Sequence, residues 1–343
     1  MTEILANPLV AVPALQPGTL RRTMHVDIGP PAAWGAPGHQ LMLDGAARDL
    51  RAGSAGVAPT VLRQAEVKAR FDSARVLLSL EVRPESPWTQ QMIGQRVGSG
   101  FRRSLDGVAP VGPEASLVRQ LMEDLPAAAL ISGYSSLRIA RRLGENPADL
   151  TPPGVLIHMT DICSGWRADG SATVSIAAGR GVPVQDCPPA PDLTTDDTDS
   201  WHHIPALADD WMRRKRLVDV TFDESGQTAS VWAMFRDTVM DPDLSAEVVL
   251  HEYAVSGRLS MTPDGLLLES VVADPRVLPM QECPLAAPEV HALSGTLLAD
   301  LSKTVPTVLF SVKSCTHLND LLRNVGGMSP VLPGPLLPGP AAD

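Results

Sequence analysis

Aromatic side chains are scarce: 5 Phe, 6 Trp and 2 Tyr, together 4% of 343 residues. The shortage does not extend to apolar residues as a whole, which make up an ordinary 44%. A disordered chain is therefore excluded, and the core must be built from Val, Leu and Ala. Positive charge is also in short supply. A formal net charge of −11 argues against a general nucleic-acid binder, because phosphate contacts need clustered Lys and Arg. The local basic runs, Arg141-Arg142 and Arg213 to Arg216, read as solvated faces. No apolar run reaches the roughly 20 residues that span a bilayer, and no basic segment followed by an apolar core and a cleavage site opens the chain. The expectation is a cytoplasmic protein with no membrane partner. There are only 4 cysteines, Cys163, Cys187, Cys283 and Cys315; without a secretory signal they read as thiols, metal ligands or nucleophiles before disulfides. Gly-rich phosphate loops, a Gly-x-Ser-x-Gly elbow and a dinucleotide fingerprint are all absent.

What the sequence does have is an echo of its first half in its second. Arg21-Arg22-Thr23-Met24-His25-Val26-Asp27 returns as Arg213-Arg214-Lys215-Arg216-Leu217-Val218-Asp219, an offset of 213 − 21 = 192. Arg48-Asp49 returns as Arg236-Asp237 and Val61-Leu62 as Val249-Leu250, both at an offset of 188. Leu121 to Leu125 resembles Leu297 to Leu301, and Gly133 to Leu137 can be laid on Ser314 to Leu318. At this length two domains are possible. The sequence-based expectation is an α+β protein of two tandem related domains, each an antiparallel β-meander followed by helices. Residues 1–20 form a loose lead-in, 21–149 a degenerate first copy, 150–211 a connecting segment and linker, 212–327 the second copy, and 328–343 a flexible tail.

Short β-like runs are expected at 23–28, 40–44, 61–71 and 75–83, and a helix from about 115 to 143. In the connecting segment Val155 to Met159 reads as a strand and Cys163 to Trp166 as a turn. In the second copy strands are expected at 216–222 and 229–235. A hairpin of 248–262 with 266–272 turns at Pro263-Asp264-Gly265, and helices follow Cys283-Pro284 and Cys315.

Four positions in the second copy carry candidate chemistry: His251, Cys283, Cys315 and His317. The hairpin brings the chain back level with His251 near Val277, six residues before Cys283. Pro284 suits the first position of a helix, where a thiol has a depressed pKa, and Cys315 opens the last helix in the same way. Two thiols and an imidazole match the ligand chemistry of zinc or iron, with His251, Cys283 and Cys315 as ligands and Glu252 or His317 moving a proton; Glu252 is also a candidate fourth ligand. In the first copy the matching places hold Arg63, Gln91 and Tyr134, so the site is absent there. Arg48-Asp49 and Arg236-Asp237, present in both copies, read as structural ion pairs. His25 reads as a strand residue, Cys163 as a buried small residue, and Trp201-His202-His203 as an exposed stretch of linker or, more sharply, a gate over the site.

The run from Met212 to about Gly326, with Arg213-Arg214, Phe235 to Thr238, Leu250-His251-Glu252, Cys283-Pro284 and Ser314 to Leu318, resembles a bacterial domain-of-unknown-function family, number twenty-eight eighty-nine. Glu252 stands where that family leads one to expect Asp. A more distant similarity, of architecture, is to the iron–sulfur scaffold (SufE/NifU-like) fold. It implies His251, Cys283 and Cys315 as ligands with His317 beside them, and His251 in place of a Cys favours a mononuclear ion over cluster assembly.

These readings converge on a metal-dependent enzyme with a divalent ion, zinc or iron. It would carry out a lyase- or hydrolase-type step on a small apolar catabolic substrate, aromatic ones included, bound between the two halves. The alternatives are a protein that handles metal or iron–sulfur clusters, or a domain with a structural zinc.

Overall fold

The computed structural model of the protein describes residues 5–29, 40–54, 56–151, 154–193, 199 and 201–333. In the first half β1 (Thr19–Gly29), β2 (Gln40–Arg51), β3 (Thr60–Asp72) and β4 (Leu77–Arg83) form a meander. In the second, β5 (Met212–Phe222), β6 (Thr228–Asp241), β7 (Ala246–Thr262) and β8 (Gly265–Val277) form another, with the two-residue β9 (Thr296–Leu297) at its edge. The meanders are not separate sheets. β1 pairs antiparallel with β5, giving one nine-stranded sheet in the order β4-β3-β2-β1-β5-β6-β7-β8-β9 among the described residues.

The helices are α1 (Phe101–Val108), α2 (Pro113–Arg142), α3 (Pro147–Leu150), α4 (Val155–Met159), α5 (Ser171–Ala177), α6 (Leu301–Val308) and α7 (Thr316–Gly326). Mixed helix and antiparallel sheet is as expected, and the expected strands and the 115–143 helix fall on β1 to β8 and α2. Two local expectations are corrected. Residues 155–159 are α4, not a strand: no neighbouring strand is there to pair with, Ile157 is exposed, and a short apolar run cannot by itself distinguish the two states. Cys283 opens a four-residue 3-10 turn (Cys283–Ala286) in place of a helix. The reason is Pro288, which has no N–H to offer the Pro284 carbonyl.

Alternation along the strands sorts side chains onto two faces. On the helix-covered face, one core gathers Leu43, Val67, Phe71, Leu121 and Leu125 under α1 and α2, and the other gathers Phe235, Tyr253, Leu301, Leu318 and Leu322 under α6 and α7. Between them runs a buried polar seam. Arg22 donates to both Asp49 oxygens (2.6 and 2.7 Å), and Arg214 to both Asp237 oxygens (2.7 and 2.9 Å). Arg216 donates to Asp124 of α2 (2.9 Å), and Asp320 of α7 takes Arg102, Arg214 and Arg216 together. The Arg213 to Arg216 run is thus largely buried, not a solvated face, because each guanidinium of Arg213, Arg214 and Arg216 has a carboxylate to meet.

The opposite face carries Arg21, paired with Asp219, and Arg213, paired with Asp27. The N-terminal segment crosses this face instead of hanging loose: Leu278 N donates to Leu5 O (3.1 Å) and Leu9 N to Glu252 Oε1 (2.5 Å). Trp201 and His202 are also buried here, so they are neither exposed linker nor gate; His203 is exposed. His202 Nδ1 lies 2.8 Å from Thr23 Oγ1 and its Nε2 2.7 Å from His25 Nδ1, with the two rings stacked. Of the expected tail, Ser329–Val331 is a 3-10 turn and residues 334–343 lie outside the described residues, as do 194–198 of the linker. No helix is long and apolar enough to cross a membrane among the described residues.

Candidate functional site

At the junction of the two cores, β6, β7 and α7 bring three donors together. Asp237, His251 and His317 each offer a ligand atom, all within 4.8 Å of one another. Asp237 and His251 are directly opposite across the β6/β7 pair, just before a bulge that shifts the register. His317 enters from the first turn of α7, and its ring stacks on that of His251 (4.3 Å between centroids, 20° between planes). His251 Nδ1 lies 3.4 Å from Asp237 Oδ2 and has no hydrogen-bond partner among the described residues. Burial opposes charge on Asp237, but Arg214, bound to both oxygens, outweighs it and holds the carboxyl well below the usual range. His317 is pushed well below the ordinary histidine value by burial and then by His251 beside it, so the ring is neutral, with a proton on one nitrogen and a lone pair on the other.

The thiols stand just outside this group. Cys315 is the residue before α7, and its Sγ lies 3.9 Å from His317 Nδ1. Cys283 is further off: its carbonyl accepts from Tyr253 OH (3.1 Å) and from Ser164 Oγ (3.2 Å). Of the expected trio of His251, Cys283 and Cys315, only His251 belongs to the group of donor atoms within 4.8 Å of one another among the described residues, where it stands with Asp237 and His317. Nor are the thiols acidic. Burial pushes Cys315 up to about 12 and Cys283 well above its ordinary value, outweighing any help from the helix N-terminus.

Glu252 is on the other face, as the neighbour of His251 in a strand must be. It pairs with Arg236 and accepts from Leu9 N, which removes it from the site as ligand or base. Arg236-Asp237 is likewise not an ion pair within itself, since Arg236 meets Glu252 and Asp237 meets Arg214.

Three contributors escaped the sequence reading. Asp237 did carry a signal, the Asp recurring at an offset of 188. Tyr134 of α2 packs its ring 5.3 Å from that of His251. Cys163 is buried as expected, yet its neighbour Ser164 donates through N to Ser314 O (2.8 Å), and a Cβ on Gly165 would fall 2.6 Å from Cys283 Sγ. This stretch of the connecting segment thus ties the loops of both thiols together.

His317 also lines a cavity of ≈ 240 Å³ that opens between α2, α7 and the loop around Arg75. Its wall from the first half includes Pro126, Leu130 and Ile131 of α2.

Residues 212–329 match a family model described as "Protein of unknown function (DUF2889)". The match covers β5 to α7 and contains Asp237, His251 and His317. No curated protein and no solved structure matches the chain.

Proposed function

We propose that the protein is a metal-dependent enzyme acting on a small molecule, with zinc or iron held by Asp237, His251 and His317. The supporting observation is the convergence of these three donors, of which His317 also lines a cavity. Two imidazoles and a carboxylate suit a first-row divalent ion and leave coordination positions open, and the only close partner of His251 Nδ1 among the described residues is another member of the set, Asp237 Oδ2 at 3.4 Å. A bound ion would supply Lewis acidity toward a carbonyl or a bound water in a lyase- or hydrolase-type step.

The chain's own residues account for the rest. Arg214 fixes the Asp237 carboxylate, and Cys315 takes the Nδ1 side of His317, which leaves Nε2 for the centre; such outer partners are worth about 10–100-fold in metal affinity. The cavity admits the substrate on the His317 side. A cluster-handling role is disfavoured because Cys283 and Cys315 are buried at 5% and 2% exposure, whereas cargo must be reached from outside.

The two halves are read as related copies of which only the second holds the site. Arg21 and Arg213 each donate to a proline carbonyl eight residues earlier, Pro13 and Pro205, at 2.7 Å. The β2/β3 and β6/β7 pairs bulge at the same place, after Asp49 and after Asp237. Opposite Asp49 stands Arg63, at 3.7 Å, where Asp237 has His251. A cation in that place repels a metal ion.

Elemental analysis of purified protein tests the centre. Close to one equivalent of zinc or iron is expected in wild type and in Cys283→Ala, weakened retention in Cys315→Ala, and loss in His251→Ala and His317→Ala. An empty wild type, or full metal in His251→Ala, sinks the proposal; loss in Cys283→Ala returns the centre to the two thiols.

A further inference from the structure

We propose that the cavity beside His317 takes an uncharged ring compound by its carbonyl group, with the Thr316 hydroxyl donating to the carbonyl oxygen and Leu130 bearing on the ring. The inference rests on the reading of His317 as part of an enzyme site and adds the class of molecule that the site takes. The ring has an apolar wall to lie on, made by Pro126, Leu130 and Ile131 of α2. Leu130 is 45% exposed while its chain neighbours Ala129 and Ile131 are at 0% and 3%. The helix thus turns it out of the core, and a ligand in the cavity removes it from water.

The rest of the lining is charged, but its charges are already engaged. Arg214 is bound to Asp237 and Asp320, and Arg102 to Asp320, while Arg75 has an interaction of its own within the chain. Asp320, itself on the lining, repels a carboxylate from the guanidiniums it holds. An ion entering the cavity would give up its water without gaining a waiting counter-charge, which costs far more than placing a neutral polar group there. What the lining does offer is hydroxyls. Two face the cavity, those of Ser99 and Thr316, and neither is hydrogen-bonded among the described residues. Thr316 directly precedes His317 in the first turn of α7, so its hydroxyl and the imidazole serve the same end of the cavity. A hydroxyl donates readily to a carbonyl oxygen, and a carbonyl is the group on which the lyase- or hydrolase-type step proposed above acts. Size fits as well. A dry cavity of about 150 Å³ takes up benzene, so ≈ 240 Å³ has room for a ring and a carbonyl.

Isothermal titration with three probes of one shape tests the proposal: acetophenone, isopropenylbenzene, in which a methylene replaces the carbonyl oxygen, and benzoate, in which an anionic oxygen replaces the methyl group. Acetophenone is expected to bind wild type about tenfold or more tightly than benzoate, because the anion finds no counter-charge. Thr316→Val should lower acetophenone affinity roughly fivefold, the effect of one neutral hydrogen bond, and leave isopropenylbenzene unchanged. Thr316→Ser, which keeps the hydroxyl, should bind acetophenone as wild type does, and Leu130→Ala should weaken both uncharged probes alike. The melting temperatures of the variants, expected to equal that of wild type because both side chains are exposed, confirm that they are folded. No acetophenone binding, benzoate binding as tight as that of acetophenone, or a Thr316→Val effect that is absent or shared by isopropenylbenzene overturns the inference. The titrations are repeated on chelator-stripped protein, with metal content measured separately. Acetophenone binding that depends on Thr316 in protein that never held metal would defeat the metal reading alone, and metal without acetophenone binding would defeat only the carbonyl ligand.

Discussion

Asp320→Ala is expected to destabilise the protein by about 3–5 kcal/mol, the usual range for removing one partner of a buried charge pair. Asp320 sits on α7 between Arg102, Arg214 and Arg216, and of these Arg214 and Arg216 are almost wholly buried. Burial opposes its ionisation, yet Arg102, Arg216 and Arg214 together outweigh burial and hold the carboxyl well below the usual range. With the folded value depressed, the contribution is fully present above the unfolded carboxylate value of about 3.9 and is lost only as pH falls through the folded value. The loss on mutation should therefore be the same at pH 6 and pH 8. Asp320→Asn should be nearly as damaging, since it keeps the shape but leaves the cations without their counter-charge. Urea unfolding of the two variants decides it: a change within about 1 kcal/mol of wild type, in the range of an exposed pair, would show that the seam between α2 and α7 does not rest on Asp320.

The second large effect is expected from acid. His25 and His202 are buried against each other, and their pKa values fall to about 2 and about 3. For His25 the causes are burial, then His202, Arg213, Lys215 and His203; for His202 they are burial, then Arg48, His203, Arg213 and Lys215. The 2.7 Å contact between His25 Nδ1 and His202 Nε2 allows one N–H between the rings and not two. Because the folded values lie below the unfolded value of about 6.5, stability is intact above pH 6.5. Below it the unfolded chain takes up two protons that the native state refuses. The slope is about 1.4 kcal/mol per pH unit for each histidine, so moving from pH 7 to pH 5 should cost up to about 4 kcal/mol. Carboxylates titrate in the lower part of this range in any variant, so the measurement is a difference. Unfolding free energies of wild type and of His25→Asn/His202→Asn are compared at both pH values, and equal losses in the two proteins would mean that the pair is not held neutral.

Much of the local structure was legible from the sequence because its causes are local. Period-two apolar patterning and the Pro263-Asp264-Gly265 turn placed the β7/β8 hairpin. Near-level pairing at Val277 came out one residue away, with Glu252 opposite Val277, because bulges at Glu252/Tyr253 and Arg258/Leu259 displace the register. His251 and His317 were legible as candidate donors, and the structure brings them together with Asp237. The misreading of Glu252 was avoidable: two consecutive strand residues face opposite ways, and only one of His251 and Glu252 could have reached the helices.

By itself, then, the sequence determined the two strand series, the helices that follow them and the half in which the imidazoles stand, since patterning, turn residues and sequence echo act over short stretches. Only the tertiary structure decided that β1 and β5 join the series into one sheet. The same structure brought Asp237 and His317, not Cys283 and Cys315, within 4.8 Å of His251, and put residues of both halves on the lining of one cavity. Those outcomes depend on which faces are buried together. Burial pushes the thiols up where a helix start alone would pull them down, and it makes a run of arginines that reads as surface into a seam of ion pairs, because a charge or thiol responds to the dielectric and the partners that packing brings to it, not to its neighbours in the chain.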